Sequence, residues 1–304
     1  MGIGNVVIVG KGALGLLFGN LIAQARGAEH VAYLMDDARY ERHAADVVTI
    51  NGTPCTISNL RQSQATPADL VIVTVKATGF AAALASMRAV VGPHTRIISL
   101  MNGISSERRI AERFGWEGTV LAIAQGMDAT FIGTDLVYTH EGEIRLGAAQ
   151  GTTPEAVSDI AGFLTSCGIQ AIVEDDIRHR LWVKFMLNVG VNQTCMAYGG
   201  TYGSVSEPTS EQHRSFVAAM REVQAVARAE GVVLDEADLD SMVRIIAGLD
   251  PAGMPSMAQD RVNGRPSEVE EFSGVIIALA EKHGIHVPQN RWLNARIHKI
   301  EEAQ

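Results

Sequence analysis

The sequence predicts an α/β fold in which a doubly wound parallel sheet is followed by an all-helical second domain. In the first half of the 304 residues, short apolar runs rich in β-branched residues alternate with helical patterns. A glycine-rich turn joins the first apolar run to the first helical pattern. Strand signals stop near residue 176, and long helical patterns continue from there. We therefore expect two domains, 1–175 and 176–304, a number that the length of the sequence favours.

The first strand, Asn5–Val9, leads directly into Gly10-Lys11-Gly12-Ala13-Leu14-Gly15 and then into a helical pattern. Gly10 allows a tight turn off the strand, Gly12 lets a pyrophosphate approach the backbone, and Gly15 lets the helix pack on the sheet. Free N–H groups and the helix dipole then bind the phosphates. The alternative is a plain glycine turn, but the strand before and the helix after it favour a Rossmann-type dinucleotide site.

Asp36 follows the second predicted strand, Val31–Met35, about twenty residues beyond the glycine motif. A carboxylate there can accept hydrogen bonds from the adenosine ribose and repels a 2′-phosphate, so Asp36 favours NAD over NADP. The alternative is a solvated loop acid beside Asp37. Arg39 lies close enough to contact a phosphate if the loop turns inward.

The next predicted strands and helices continue the alternation: Leu70–Val75, Phe80–Val91, Thr95–Leu100, Ser106–Phe114 and Thr119–Ala124. Lys76 and Asn102 each follow one of these strands. Ligands of doubly wound sheets bind outside the carboxyl ends of the strands, so both side chains are expected to face the cofactor crevice. Further on, Leu136–Thr139 and Glu143–Leu146 resemble the two arms of a hairpin.

The helix predicted over Ile177–Tyr198 is apolar nearly all round, which is typical of a buried helix. It nevertheless carries Lys184, Asn188 and Asn192 at spacing i, i+4 and i+8, which places them on one face. Burying them without partners costs several kcal/mol. They either form a structural network or line a cleft, and a partly desolvated lysine in a cleft suits a general acid.

Pro255 and Pro266 each favour the first turn of a helix, which places Ser256 and Glu268 near helix starts. A helix start can hold a substrate carboxylate. Taken alone, Glu268 is most simply an acid favoured by the helix dipole.

The net charge of −9, without a basic run, argues against nucleic acid as a partner. The three scattered cysteines predict neither a disulfide framework nor a metal site. No signal peptide is recognisable, and no apolar run approaches the ~20 residues that span a bilayer. We therefore expect a cytoplasmic protein that has no membrane segment.

Taken together, these motifs resemble those of the ketopantoate reductases (2-dehydropantoate 2-reductases), and the resemblance runs almost from end to end. It rests on the glycine motif, Val75-Lys76, Asn102-Gly103, Lys184-x-x-x-Asn188-x-x-x-Asn192, Ser256-Met257-x-x-Asp260 and Gly264-Arg265-x-x-Glu268. The resemblance implies reduction of 2-dehydropantoate to (R)-pantoate with NAD(P)H, a step towards pantothenate. The family contains both monomers and dimers, so a homodimer is compatible with it.

The same resemblance implies individual roles. Lys184 would protonate the developing alkoxide, Asn188 and Asn192 would orient the substrate, and Ser256 would bind its carboxylate. Glu268 would bind the terminal hydroxyl of the substrate, and the resemblance also implies that it belongs to the catalytic and cofactor-binding residues. Lys76 and Asn102 would face the cofactor and the catalytic cleft.

At several positions the sequence differs from the family pattern. Asp36 stands where the family, which commonly uses NADPH, has a basic residue, and Tyr202 stands where some members have an active-site asparagine. Glu270 and Ser273-Gly274 replace an aspartate and an Asn-Gly pair. Two alternatives follow: an NAD-dependent D-2-hydroxyacid dehydrogenase for branched-chain 2-keto acids, and a non-catalytic NAD(H)-sensing module.

Overall fold

The structure, a computed structural model, describes residues 2–43 and 45–303. The protein forms two compact units. Unit 1 extends to Met101 and resumes over Ser106–Ile177, whereas unit 2 contains Asn102–Ser105 and everything from Arg178 onwards. Four residues from the middle of the first half thus belong to the helical unit.

The strands of unit 1 are β1 Val6–Val9, β2 Val31–Met35, β3 Thr49–Ile50, β4 Thr53–Pro54, β5 Ser58–Arg61, β6 Leu70–Val73, β7 Arg96–Ser99, β8 Thr119–Met127, β9 Thr130–Ile132, β10 Asp135–Val137, β11 Glu141–Gly147 and β12 Gln170–Val173. Its helices are α1 Ala13–Arg26, α2 Asp37–His43, α3 Phe80–Ser86, α4 Ser106–Phe114 and α5 Pro154–Ser166.

The main sheet has the order β12-β11-β8-β7-β6-β1-β2-β5. The six strands from β8 to β5 pair in parallel, β11 is antiparallel to β8, and β12 is parallel to β11. The backbone leaves β1 towards β2 and later returns to β6 on the opposite side of β1. This reversal marks the place where doubly wound sheets bind their ligands.

Alternate residues of the central strands enter different cores. Val6 and Ile8 of β1 belong to the cluster under α1 and α5, whereas Val7 and Val9 belong to the cluster under α3. A strand covered on both faces must be apolar on both, which explains the continuous apolar runs in the sequence. The predicted doubly wound sheet is confirmed.

The predicted hairpin is wrong, because its two arms lie in different sheets. Leu136 is in β10, which pairs with β9 and β3 in a small sheet ordered β4-β3-β10-β9. Ile144 is in β11, which pairs instead with β8. The reason is that β8 extends to Met127, beyond the predicted Ala124, and so offers β11 a long antiparallel partner.

Among the described residues, unit 2 contains helices and no strands, as the sequence predicts. These helices are α6 Ile177–Tyr198, α7 Tyr202–Ser206, α8 Glu211–Ala229, α9 Glu236–Ala247, α10 Ser256–Val262, α11 Val275–His283 and α12 Pro288–Glu301. A π-helical turn, Glu270–Gly274, leads into α11. Ser210 caps α8, and its side chain accepts the His213 N–H.

Helix α6 supplies much of the core of unit 2. Its buried residues Trp182, Phe185, Met186 and Val189 pack with apolar residues of the other helices. Within residues 2–43 and 45–303, no helix has the length and apolar character needed to cross a membrane.

Candidate active site

The glycine turn of unit 1 requires glycine at two of its positions for steric reasons. Gly10 has φ +120°, and a Cβ on it would lie 2.7 Å from the Thr74 carbonyl carbon. A Cβ on Gly15 would lie 1.9 Å from the Gly10 carbonyl oxygen. The Thr74 hydroxyl donates to the same oxygen at 2.8 Å, so the end of β1, the start of α1 and the end of β6 are fixed together.

Gly12 differs from these two glycines because a Cβ there would meet nothing within 4 Å. It is the N-cap residue of α1, and it makes no side-chain cap hydrogen bond. The first turn of α1 also contains no acidic residue. Open space above an uncapped helix N-terminus fits the phosphates of a dinucleotide.

Lys11 extends across the sheet from this turn. Its Nζ donates to Asn59 Oδ1 on β5 at 3.0 Å and lies 5.3 Å from the centroid of the Tyr33 ring. Burial lowers the pKa of Lys11, and the positive charge of Arg39 acts in the same direction. A cationic group therefore lies beside β2 and β5, the strands nearest to where the adenosine ribose of a dinucleotide is expected.

Asp36 is exposed and directly follows β2. Its Oδ1 accepts the Arg39 N–H at 2.8 Å, which makes Asp36 the N-cap of α2. Asp37 has a different hydrogen-bond partner, because its Oδ1 accepts the Ser63 N–H at 3.1 Å. The structure thus distinguishes the two adjacent acids that the sequence leaves equivalent.

Lys76 is exposed and follows β6 by three residues, at the start of a 3₁₀ turn over Ala77–Gly79. It shares the carboxyl edge of the parallel sheet with Gly10 and Asp36, which follow β1 and β2. The three predicted cofactor residues that follow different strands therefore lie along one edge of unit 1.

In unit 2, the side chains on the polar face of α6 differ in their exposure to solvent. Lys184 and Asn188 are partly exposed, whereas the Asn192 side chain is buried. Asn192 Nδ2 donates to Asn188 Oδ1 at 3.4 Å. Asn192 Oδ1 accepts the Ser256 hydroxyl at 3.0 Å and the Met257 N–H at 3.3 Å. The predicted polar stripe and the predicted residue at the start of α10 are therefore in direct contact.

The loop Asn102–Ser105 forms a second cluster in unit 2. Asn102 Nδ2 donates to Glu268 Oε2 at 3.4 Å, and the Ser105 hydroxyl donates to Glu271 Oε2 at 2.5 Å. Glu268 lies just before the π-helical turn, and Pro266 therefore precedes the helical segment instead of forming its first turn.

Tyr202 is the first residue of α7, and it supports the segment that leads to Ser256. Its N–H donates to the Gly253 carbonyl at 2.9 Å, and a Cβ on Gly253 would lie 3.0 Å from the Tyr202 ring. Burial raises the pKa of Tyr202.

Sequence reasoning missed four residues that hold the predicted ones. Asn59 contacts Lys11, Ser105 and Glu271 fix the Asn102 loop, and Gln193 is buried beside Asn192. Only Gln193 had a local signal, as a further polar residue in an apolar helix. The described residues contain no group of three or more His, Cys, Asp or Glu side chains that could hold a metal ion.

Known proteins are similar to this one along most of its length. A 2-dehydropantoate 2-reductase of Streptococcus pyogenes serotype M3 is 26% identical over 309 residues, with 97% of each protein covered. The crystal structure of a PanE/ApbA family ketopantoate reductase from Ralstonia eutropha JMP134 matches with a TM-score of 0.82 and 25% identity, covering 98% of this protein and 99% of the other.

A ternary structure of D-mandelate dehydrogenase with NADH and anilino(oxo)acetate matches with a TM-score of 0.85. It is 22% identical and covers 98% of this protein and 99% of the other, so it shows a shared fold. Two family models also match: "Ketopantoate reductase PanE/ApbA" over residues 6–151 and "Ketopantoate reductase PanE/ApbA C terminal" over residues 176–301. The protein therefore belongs to the PanE/ApbA ketopantoate reductase family.

Proposed function

We propose that the protein reduces the keto group of 2-dehydropantoate to give (R)-pantoate, using a nicotinamide cofactor, as a step of pantothenate biosynthesis. The observation that carries the proposal is the cluster on α6, where Asn192 joins the Lys184 face to Ser256. Membership of the ketopantoate reductase family supports the same reaction.

The glycine turn, Lys11 and the edge of the sheet would hold the cofactor, which when bound supplies a hydride to the keto carbon. Lys184 would donate its proton to the keto oxygen as that oxygen becomes an alkoxide. Its positive charge would also stabilise the oxyanion before the proton moves. General acid catalysis of this kind contributes about 10²- to 10⁴-fold, and charge stabilisation adds to it.

The amides of α6 and Ser256 would orient the keto acid. The Ser256 hydroxyl now donates to Asn192 Oδ1 at 3.0 Å. On binding, it would donate to the substrate carboxylate instead, because hydrogen bonds to a charged acceptor are about twice as strong as neutral ones. Asn188 is partly exposed next to Asn192 and would bind the same end of the substrate.

Glu268 would accept a hydrogen bond from the terminal hydroxyl of 2-dehydropantoate, with Asn102 Nδ2 holding its other side at 3.4 Å. This assignment separates 2-dehydropantoate from 3,3-dimethyl-2-oxobutanoate, which is the same acid without the hydroxyl. A site built to bind a hydroxyl discriminates strongly against the analogue that lacks it.

We further propose NADH as the preferred cofactor. Asp36 is an exposed carboxylate directly after β2, and it would repel the 2′-phosphate of NADPH. Lys11 and Arg39 lie close enough for their charges to interact. Both are cations, and they would attract the 2′-phosphate that Asp36 repels. The preference therefore depends on the balance between one carboxylate and two cations.

The test compares initial rates on the two keto acids, with NADH and NADPH in parallel, for the wild type and Glu268→Gln. Loss of a hydrogen bond to a charged group costs about 1.5–3 kcal/mol, so kcat/KM for 2-dehydropantoate should fall roughly tenfold to hundredfold. The rate on 3,3-dimethyl-2-oxobutanoate should change far less. Glu281→Gln, which removes an exposed acid on α11, is the matched control.

A wild type that prefers 3,3-dimethyl-2-oxobutanoate would instead support a D-2-hydroxyacid dehydrogenase for branched 2-keto acids. Tyr202 favours this second candidate, because it replaces an asparagine that some ketopantoate reductases carry in the active site. Cofactor binding without turnover of either acid would support the NAD(H)-sensing module. A homodimer remains a prediction, which sedimentation of the purified protein can measure.

A further inference from the structure

The π-helical turn Glu270–Gly274 lies next to predicted substrate residues. It is wider than an α-helix, because the Val275 N–H reaches back five residues to the Glu270 carbonyl. The Ser273 hydroxyl donates to the Val269 carbonyl at 3.3 Å. Turns of this kind are rare and persist where the surroundings hold them.

Gln193 of α6 holds this turn from outside. Its Oε1 accepts the Ser273 N–H at 3.2 Å. Its Nε2 donates to the Val189 carbonyl at 2.8 Å and to Asn290 Oδ1 at 3.4 Å. Gln193 and Ser273 are both fully buried. Because one end of the amide faces a donor and the other end faces two acceptors, its orientation is fixed.

Gln193 directly follows Asn192, and the two amides connect α6 to different segments. Asn192 binds the start of α10 through Ser256, whereas Gln193 binds the turn that follows Glu268. The Glu271 N–H donates to the Glu268 carbonyl at 3.0 Å, and the Glu271 carboxylate accepts the Ser105 hydroxyl. The positions of Glu268 and of the Asn102 loop therefore depend on the turn.

We propose that Gln193 is a positioning residue, which holds the π-helical turn so that Glu268 and Asn102 keep their places relative to the polar face of α6. This inference rests on the proposed function of those residues. Without the Gln193 acceptor, the Ser273 N–H loses its partner on α6, and the turn can open. Glu268 and Glu271 would then lose their alignment.

The test uses Gln193→Met, which keeps the length of the side chain and removes its acceptor. The kcat/KM for keto acid reduction should fall roughly tenfold to hundredfold, as expected when a buried N–H loses its partner. NADH binding to the enzyme should be unchanged. Hydrogen exchange of the peptide that contains Ser273 should accelerate.

Thr194→Val is the matched control, because Thr194 is also fully buried on α6 and its hydroxyl has no hydrogen-bond partner among the described residues. It should keep wild-type kcat/KM and wild-type exchange at Ser273. Gln193→Glu provides a rescue. Its protonated form can donate to Val189 and still accept from Ser273, so its activity relative to the wild type should rise as the pH is lowered.

Wild-type kcat/KM and exchange in Gln193→Met would overturn the inference, as would an equal loss in Thr194→Val. If Gln193→Met does not fold, the inference is tested by Gln193→Glu. Activity of Gln193→Glu that does not rise relative to the wild type at low pH would then contradict the inference. A wild type that reduces only 3,3-dimethyl-2-oxobutanoate refutes the proposed substrate, and the variants are then compared on that acid. A wild type that reduces neither acid refutes the proposed function, and the exchange rates alone decide whether Gln193 holds the turn.

Discussion

Replacing Asn192 with alanine should weaken catalysis by releasing Ser256 from its place beside the polar face of α6. The substitution removes an acceptor used by the Ser256 hydroxyl and by the Met257 N–H, at 3.0 and 3.3 Å. It also removes the donor to Asn188 at 3.4 Å, which is long and contributes little.

The size of the effect follows from these contacts. A typical hydrogen bond contributes about 0.5–1.5 kcal/mol net, so two of them are worth about 1–3 kcal/mol. If the whole amount is lost from the transition state, kcat/KM falls roughly 5- to 150-fold. Because Ser256 would bind the substrate carboxylate, we expect KM to rise more than kcat falls.

The assay is steady-state reduction of 2-dehydropantoate, together with urea unfolding of the wild type, Asn192→Ala and Asn188→Ala. Asn188 is the control for stability, because it is partly exposed and its bond to Asn192 is long. Asn192→Ala should lose more unfolding free energy than Asn188→Ala. If Asn192→Ala stays within about twofold of wild-type kcat/KM, the size of a neutral surface change, the reasoning fails.

Three further predictions concern other parts of the molecule. Lys184→Ala should lower turnover by about two orders of magnitude or more with NADH binding retained, and unchanged turnover would remove Lys184 from the mechanism. Asp36→Ser keeps an N-cap for α2 but removes the negative charge. The kcat/KM with NADPH, divided by the kcat/KM with NADH, should therefore rise about tenfold. An unchanged ratio would show that Asp36 does not select the cofactor. Burial alone would raise the pKa of Glu230, but hydrogen bonds from Lys282 and His283 outweigh it and lower the pKa below its ordinary 4.5. The stabilisation by Glu230 is therefore complete above pH 4.5 and is lost as the pH falls through the lowered pKa, so the melting temperatures of the wild type and Glu230→Gln should converge in acid and differ at neutral pH.

Local sequence patterns predicted much of the fold because they report periodicity and turn chemistry. The bounds of β2, α4 and α6 agree with the expected ones to the residue. Each of these elements is specified by residues that are close in sequence. The same holds for Gly10 and Gly15, whose steric roles follow from a strand, a turn and a helix in succession.

The features that the sequence did not predict are contacts between residues that are distant in sequence. The alternating patterns of β10 and β11 suggested a hairpin, but they cannot tell which strand pairs with which. Similarly, nothing near Ser105 or Glu271 indicates that they are hydrogen-bonded across 166 residues of sequence. The π-helical turn is hydrogen-bonded to Gln193 of α6, which lies 80 residues earlier, and its own sequence gives no sign of this contact.

The pairing of Asn102 and Ser105 with Glu268 and Glu271 also sets an order of events during synthesis. The loop is translated long before its partners, which are 166 residues further along. At a synthesis rate of about 5–20 residues per second, roughly 8 to 33 s pass between translation of the loop and translation of its partners. During that time the core of unit 2, against which Ile104 packs in the finished protein, is incomplete. A nascent polypeptide halted before Glu268 should therefore leave this loop open to protease, and the loop should become protected only after the last helices have emerged.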